Sequence, residues 1–223
     1  MPQTMKKLAP FLIGIVLMCA SGSALAQGTT AEYPKVEVFA GYSALGDASS
    51  GRISFGPTAS TDSKYGTETG FETSVIGNFS KHFGIKGDFS AHFGNDSGST
   101  PLTSCPAICT TVTQDFQFKT RVYNFLAGPE IKARNSSRFT PLAYALAGVA
   151  HTSASFTSTG PTLNLSLKNS ANSFAMALGG GLDIRAGKRV SFRGSLDYNP
   201  VFTRDSGSDR RDLARFSLGL LFH

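Results

Sequence analysis

The chain has 223 residues, of which 40% are hydrophobic and only 16% are charged, and its formal net charge is +6. This length suits one domain. Beyond the N-terminal region no segment reaches the roughly 18 uninterrupted apolar residues that a membrane helix needs. A basic chain invites a nucleic-acid hypothesis, but the cations cluster at predicted turns, so nucleic acid is not an expected partner.

The N-terminus has the three parts of a secretory signal peptide, residues 1–26. Lys6 and Lys7 form its basic region, residues 8–18 its apolar run, and Ala24-Leu25-Ala26 a small-x-small cleavage site. The apolar run is short for a membrane helix, which disfavours the alternative of a retained anchor. Cleavage leaves 197 residues with a net charge of about +4.

Two cysteines remain after cleavage, Cys105 and Cys109. An even pair in an exported chain favours a disulfide, which here would close a small loop. Metal binding is the weaker interpretation, because no histidine lies nearby in the sequence to complete a site. We expect neither a metal nor a cofactor.

After a short tail, residues 27–34, apolar and polar residues alternate with the period of a β-strand. This pattern predicts one domain, residues 35–223, with eight strands. They lie near residues 35–43, 71–79, 83–93, 114–128, 142–149, 174–185, 190–199 and 215–223. Four long polar loops alternate with three short turns. The loops are residues 44–68, 94–113, 152–172 and 200–212.

Two details of the strands are less regular. Leu163, Leu165 and Leu167 alternate inside the third long loop, which predicts that its flanking strands extend further. The alternation becomes unclear at Asn124-Phe125, which predicts a β-bulge before Pro129.

Most strands have one apolar face and one polar face. In the last strand Phe216, Leu218, Leu220 and Phe222 share a face. An even number of such strands, with long loops at one end and short turns at the other, is typical of outer-membrane barrels, whose apolar faces contact lipid. The fold class predicted is therefore all-β, an eight-stranded antiparallel up-and-down transmembrane β-barrel.

The opposite faces would line a lumen so narrow that side chains fill it. Charges of both signs there should form ion pairs, because an unpaired buried charge is costly. The predicted lumen network consists of Glu37, Glu72, Lys86, Asp88, Arg121, Asp183, Arg185, Arg193, Asp197 and Arg215, with Lys119 beside it. The small residues Ala143, Ala145 and Ala147 are predicted to leave room for the arginines.

Aromatic and basic residues also separate by end. Outward aromatic girdles are predicted at the loop end and at the turn end. The loop-end girdle comprises Tyr42, Phe71, Phe93, Phe116, Phe174 and Tyr198, and the turn-end girdle Phe79, Phe83, Phe192 and Phe222. Basic residues cluster at the turns, where they would meet anionic headgroups of the inner leaflet or form a solvated rim. They are Lys81, Lys132, Arg134, Arg138, Lys188 and Arg189.

On these features the mature chain resembles the small eight-stranded outer-membrane barrels, the family of the OmpA transmembrane domain and OmpX, and porin-family proteins. The resemblance implies that the terminal strand, with Phe222 in the penultimate position, is the signal read by the outer-membrane assembly machinery. It implies location in the outer membrane of a Gram-negative bacterium. We expect no peptidoglycan-binding domain after the barrel, so a cell-wall tether is not implied.

One pair of residues suggests catalysis. His151 and Ser153 have the His-x-Ser spacing of the outer-membrane lipid A deacylases, and a base beside a hydroxyl suits nucleophilic chemistry. Those enzymes also use a downstream glutamate, and none follows Glu130. The other histidines have no carboxylate cluster that would make a metal site.

The prediction is thus a non-enzymatic, monomeric barrel whose four loops serve structural, adhesive or surface-interaction roles. Outer-membrane lipids, the assembly machinery and a surface ligand are the expected partners. A narrow porin for small solutes is the first alternative, a lipid A deacylase the second, and a soluble periplasmic barrel that binds an apolar ligand the third.

Overall fold

The structure, a computed structural model, describes residues 33–48, 67–104, 110–160, 164–202 and 210–223. The predicted signal peptide and the predicted disulfide, Cys105 and Cys109, lie outside these residues. The strands are β1 (Val36–Asp47), β2 (Glu68–Asn78), β3 (Phe83–Ser104), β4 (Thr110–Lys132), β5 (Phe139–Thr159), β6 (Leu165–Arg185), β7 (Val190–Phe202) and β8 (Arg211–Phe222).

Each strand pairs with its sequence neighbours, and β8 pairs with β1, so the sheet is a closed barrel. All eight pairings are antiparallel. This confirms the predicted fold class. Within the described ranges, no helix is long and apolar enough to cross a membrane.

The strands fall into two length classes. Strands β3 to β6 have 21 to 23 residues, whereas the other four have 11 to 13. The extra length lies at the long-loop end, where residues 94–104, 110–121, 151–159 and 165–173 form a four-stranded projecting sheet. Much of the second and third predicted loops is therefore strand. The alternating leucines of the third loop correctly indicated this, whereas the Gly- and Ser-rich second loop gave no such signal.

The outward face is apolar and exposed along the barrel. Every strand has large outward side chains that are 36% to 59% exposed, and these include Val36, Val75, Phe83, Phe125, Val149, Phe174, Phe192 and Leu218. In β8, Leu218 is 54% exposed, while its neighbours Ser217 and Leu221 on the other face are fully buried. Strands β1, β2, β3, β6, β7 and β8 therefore have the predicted orientation.

The orientation predicted for β4 is wrong. Val122, Asn124 and Leu126 are buried in the interior, whereas Phe125 is 57% exposed. Pairing with β5 keeps a single register from Asp115 to Lys132, so the predicted bulge before Pro129 is absent. The unclear alternation reflected apolar residues on both faces rather than an inserted residue.

The orientation predicted for β5 is also wrong. Leu142, Tyr144 and Leu146 are buried in the interior at 6%, 5% and 1% exposure. The alanines expected in the lumen, Ala143, Ala145 and Ala147, are exposed on the outer face. Large side chains therefore fill this side of the interior, because an eight-stranded barrel has only enough space for its own inward residues.

The girdle and the basic turns need corrections too. Phe116 lies on the inward-facing side of β4, where its ring stacks with Phe156 at 6.1 Å between centroids, so it does not belong to the outward girdle. Lys132 is 3% exposed and Arg134 binds an interior carboxylate, so these two residues are not free to meet lipid headgroups. The inward positions of Phe116 and Lys132 follow from the reversed orientation of β4.

Candidate functional site: the charged interior and the outer surface

The interior near the short turns contains a balanced cluster of charged side chains. The Lys132 ammonium pairs with the Glu37 carboxylate and lies 3.2 Å from Glu130 Oε1. Arg193 donates to Asp183 through Nε at 2.6 Å and through Nη2 at 2.8 Å, a bidentate contact. This arrangement offers the two carboxylate oxygens two parallel donors and is among the stronger ion-pair geometries.

Glu37 also has partners from three other segments near the short-turn end of the barrel. Arg134 Nη2 donates to Glu37 Oε2 at 3.1 Å, as does Asn78 Nδ2 at the same distance. A ring nitrogen of His223 lies 3.3 Å from Glu37 Oε1. The last residue of the chain is thereby attached to the first strand, on the inner side of the seam between β8 and β1.

A second cluster lies deeper in the barrel. Lys86 Nζ is 3.0 Å from Glu72 Oε1 and 3.2 Å from Asp88 Oδ2. Arg215 is fully buried and pairs with Asp88 at 2.8 Å and with Asp197 at 3.1 Å. Since β8 and β3 are separated by two strands in the barrel, the bond from Arg215 to Asp88 crosses the interior.

Neutral groups complete this second cluster. Tyr144 donates its hydroxyl to Asp197 Oδ2 at 2.8 Å, and the Lys86 ammonium lies 4.3 Å from the centre of the Tyr144 ring. Ser217 donates to Glu72. Each anion of the cluster therefore has at least two cationic or hydroxyl groups close to it, as a charge buried away from water requires.

Eight of the ten residues predicted for the lumen network lie together in the interior: Glu37, Glu72, Lys86, Asp88, Asp183, Arg193, Asp197 and Arg215. Arg121 does not, because β4 is reversed and places Arg121 and Lys119 on the exposed outer face. Arg185 has the inward parity of β6 but is exposed at the end of the strand. Glu130, Lys132 and Tyr144 also belong to the interior network, and the sequence analysis did not include them because it assigned the wrong faces of β4 and β5 to the interior.

Toward the outer end, apolar side chains share the interior with buried polar groups such as Glu68, His92 and Asn124. Leu45, Val122, Leu126, Leu146 and Leu213 belong to one buried cluster there. Above it a cavity of about 390 Å³ opens at the mouth, lined by Thr152, Asn169, Ser173, Val201, Arg211 and neighbouring residues.

The pair predicted as a catalytic alternative lies outside the interior. His151 and Ser153 are on the outward face of β5, and His151 Nδ1 is 2.6 Å from Asn172 Oδ1. The ring of His151 stacks on Tyr123 at 6.3 Å. Among the described residues no hydrogen bond joins His151 to Ser153, and the partner of the imidazole is an amide rather than a carboxylate.

One exposed ion pair lies at the outer end of β8. Arg210 Nε donates to Asp212 Oδ1 at 2.5 Å, and Arg210 also contacts the Tyr198 hydroxyl. The hydrogen bond with Asp212 raises the pKa of Arg210 above its ordinary value. Arg210 is therefore a cation whose charge is neutralised by its own neighbour. In the described ranges, no group of three His, Cys, Asp or Glu side chains is arranged to hold a metal.

The sheet forms a closed barrel with an apolar outer face and charged side chains in its interior. In its terminal strand Phe216, Leu218, Leu220 and Phe222 face outward. This is the architecture of an outer-membrane barrel. Residues 13–222 match the model of the outer membrane protein beta-barrel domain. The chain belongs to this family, whose place is the outer membrane.

Several solved structures are similar to this one. Ail, the attachment invasion locus protein of Yersinia pestis, is 18% identical with a TM-score of 0.47, over 84% of this chain and 95% of that chain. Neisserial surface protein A is 12% identical with a TM-score of 0.44, over 84% and 94%. The outer membrane protease OmpT of Escherichia coli is 8% identical with a TM-score of 0.47, over 88% and 99%. No curated protein matches the sequence.

Proposed function

We propose that the protein is a non-enzymatic, sealed outer-membrane barrel that presents its projecting sheet as a contact surface outside the cell. The barrel holds the sheet at the membrane, and the interior serves stability rather than transport. Membership of the family establishes only that the protein is an outer-membrane barrel. The sealed interior and the contact surface go beyond that.

The ion-pair network favours a sealed interior over a narrow porin. Arg193 and Arg215 are 1% and 0% exposed, and their guanidinium groups bind carboxylates from other strands. Moving such a side chain aside would leave buried charges unpaired, which costs about 3–5 kcal/mol for each broken pair. An ion would have to break several pairs to pass.

The single observation that favours a contact role is an exposed apolar row on the projecting sheet. Phe118, Phe156 and Leu167 are directly paired across β4, β5 and β6, on the side that continues the interior face. Phe118 is 43% and Leu167 is 55% exposed. Exposed apolar patches beyond the lipid-covered part of a barrel are typical of surfaces that bind another macromolecule.

Planar-bilayer recordings test the sealed interior. We expect the purified protein to give no steady conductance, and the variant Arg215→Ala, which removes the cation that crosses the interior, to give transient leaks. A steady open level from the unchanged protein would contradict the sealed interior and support the porin alternative.

Bacteria that display the protein test the contact role. We expect them to adhere several-fold more to polystyrene than cells without it. The double variant Phe118→Ser with Leu167→Ser should lose this gain, while Gln117→Ser with Ser166→Ala, on the opposite face of the same strands, should keep it. Equal adherence of both variants would contradict the proposal. Heat-modifiable gel mobility checks that each variant forms the barrel.

A further inference from the structure

The outward face of β4, β5 and β6 changes in a fixed order along the strands. Phe125, Val149 and Phe174 are paired across the three strands and are about half exposed. The next outward row toward the loops contains Tyr123, His151 and Asn172. The succession is therefore an apolar row followed by a row of polar and aromatic side chains, as at the edge of a bilayer.

The two rows beyond contain cations and hydroxyl groups. Arg121, Ser153 and Ser170 are paired in the first row, and Lys119, Ser155 and Lys168 in the second. We call these six residues the outer basic patch. Neighbouring strands lie about 4.8 Å apart, so Lys119 and Lys168 are roughly 10 Å apart with a serine between them. A phosphate group could contact cations and hydroxyls together.

The cations of the patch have no anionic partner in the part of the chain that the structure describes. Lys119, Arg121 and Lys168 are exposed, and none of them forms an ion pair or a hydrogen bond there. On the outward faces of β3 to β6 the one carboxylate among the described residues is Asp115. It lies four positions from Lys119, roughly 13 Å along the strand. Arg210, by contrast, forms an ion pair with Asp212.

The height of the patch matches the surface of the outer leaflet. Arg121 is ten positions from Ile131, which is 47% exposed near the short turns. At about 3.3 Å per residue and a tilt of about 40°, this separation is roughly 25 Å along the barrel axis. The apolar band of such barrels is about 25 Å tall. Arg121 therefore lies where the hydrocarbon ends.

We propose that the outer basic patch binds the phosphate groups of the anionic glycolipid that forms the outer leaflet. Three unpaired cations within about one Debye length repel each other, so a phosphate there relieves repulsion as well as gaining attraction. The serine hydroxyls donate to the remaining phosphate oxygens. The patch covers one side of the barrel, so the lipid is bound on that side rather than around the whole circumference.

The test uses the full barrel folded in detergent micelles and diphosphorylated lipid A as the probe, with bound lipid counted by native mass spectrometry. The triple variant Lys119→Gln, Arg121→Gln and Lys168→Gln keeps side-chain length and removes the charge. Each cation near an anionic surface contributes about fivefold in affinity, so the triple variant should bind roughly 100-fold more weakly. The matched control is Arg138→Gln, Lys188→Gln and Arg189→Gln at the other end, which should bind normally.

Two further arms identify the ligand. Lipid A without its phosphates should not bind, and inorganic phosphate at the same concentration should not displace lipid A. Unchanged binding in the triple variant, equal loss in both triple variants, binding of the dephosphorylated lipid, or displacement by inorganic phosphate would each overturn the proposal. If the triple variant does not fold, as judged by gel mobility before and after boiling, Arg121→Gln alone should show about a fivefold loss.

Discussion

Strands β1, β2, β3, β7 and β8 contribute the charged side chains of the interior beside some apolar ones, whereas β5 and most of β6 contribute mainly leucine, alanine and one tyrosine. In the charged sector, Arg215 and Lys86 are held by carboxylates on neighbouring and opposite strands. In the apolar sector, Leu146 and Ala177 pack in a buried cluster without polar partners. The two sectors fill the same narrow space by different physical means.

The difference determines what a substitution would cost in each sector. A buried charge depends on its partner, so loss of one member leaves the other uncompensated. A buried leucine depends on volume, so its truncation leaves a cavity. The predictions below separate these two modes by the size of the change in the free energy of unfolding.

The largest effect is expected for Arg215→Ala in the charged sector. Asp88, Asp197 and Glu72 would lose a shared cation, so the free energy of unfolding should fall by about 3–5 kcal/mol. Urea unfolding of the refolded barrel in lipid vesicles measures this change. Arg185→Ala, at an exposed arginine, is the matched control and should change stability by less than about 0.5 kcal/mol. Similar losses for both variants would contradict the ion-pair network.

A smaller effect is expected for Leu146→Ala in the apolar sector. Leu146 is 1% exposed, and its truncation should cost about 2–3 kcal/mol through lost contacts and a cavity. Val149→Ala, on the lipid-facing side of the same strand, should cost about 1 kcal/mol or less, since lipid can fill the space. The same urea titration compares them. A greater loss for Val149→Ala would mean that the orientation of β5 is reversed.

The smallest effect is expected for Ser153→Ala on the outer face. Its hydroxyl has no hydrogen bond to His151 among the described residues, so stability should change by less than about 0.5 kcal/mol. Neither the unchanged protein nor Ser153→Ala should release fatty acid from acyl-labelled lipid A. Release by the unchanged protein that Ser153→Ala abolishes would establish the deacylase alternative.

The same two sectors explain how much the sequence could predict. Strand number, the closed antiparallel order and the terminal strand were predicted correctly, since alternation and loop lengths are local features. Orientation was predicted correctly where the charges lie within the barrel, as for Lys86 and Asp88 in β3. It was wrong in β4, because the charged side chains Lys119 and Arg121 belong to the exposed outer face near the long-loop end. It was wrong in β5, because Leu146 and Val149 are equally apolar although Leu146 faces the interior and Val149 faces lipid.

The wrongly predicted orientation of β4 and β5 also explains which members of the interior network the sequence did not reveal. Glu130 and Lys132 could have been included only by extending the parity of β4 backward from the turn, where these two charges share the face of Leu126. The contacts across the barrel, such as Arg215 with Asp88, join residues 127 positions apart. No local pattern indicates such a pair.

A single introduced tryptophan gives the most direct test, because the chain contains none. Brominated lipid quenches only fluorophores in contact with it, so Leu218→Trp and Ala147→Trp should be strongly quenched in vesicles of brominated phospholipid. Tyr144→Trp, three residues before Ala147 on the inward face of the same strand, should keep most of its emission. Strong quenching of Tyr144→Trp with protection of Ala147→Trp and Leu218→Trp would contradict the lipid-facing stripe and the sealed interior together.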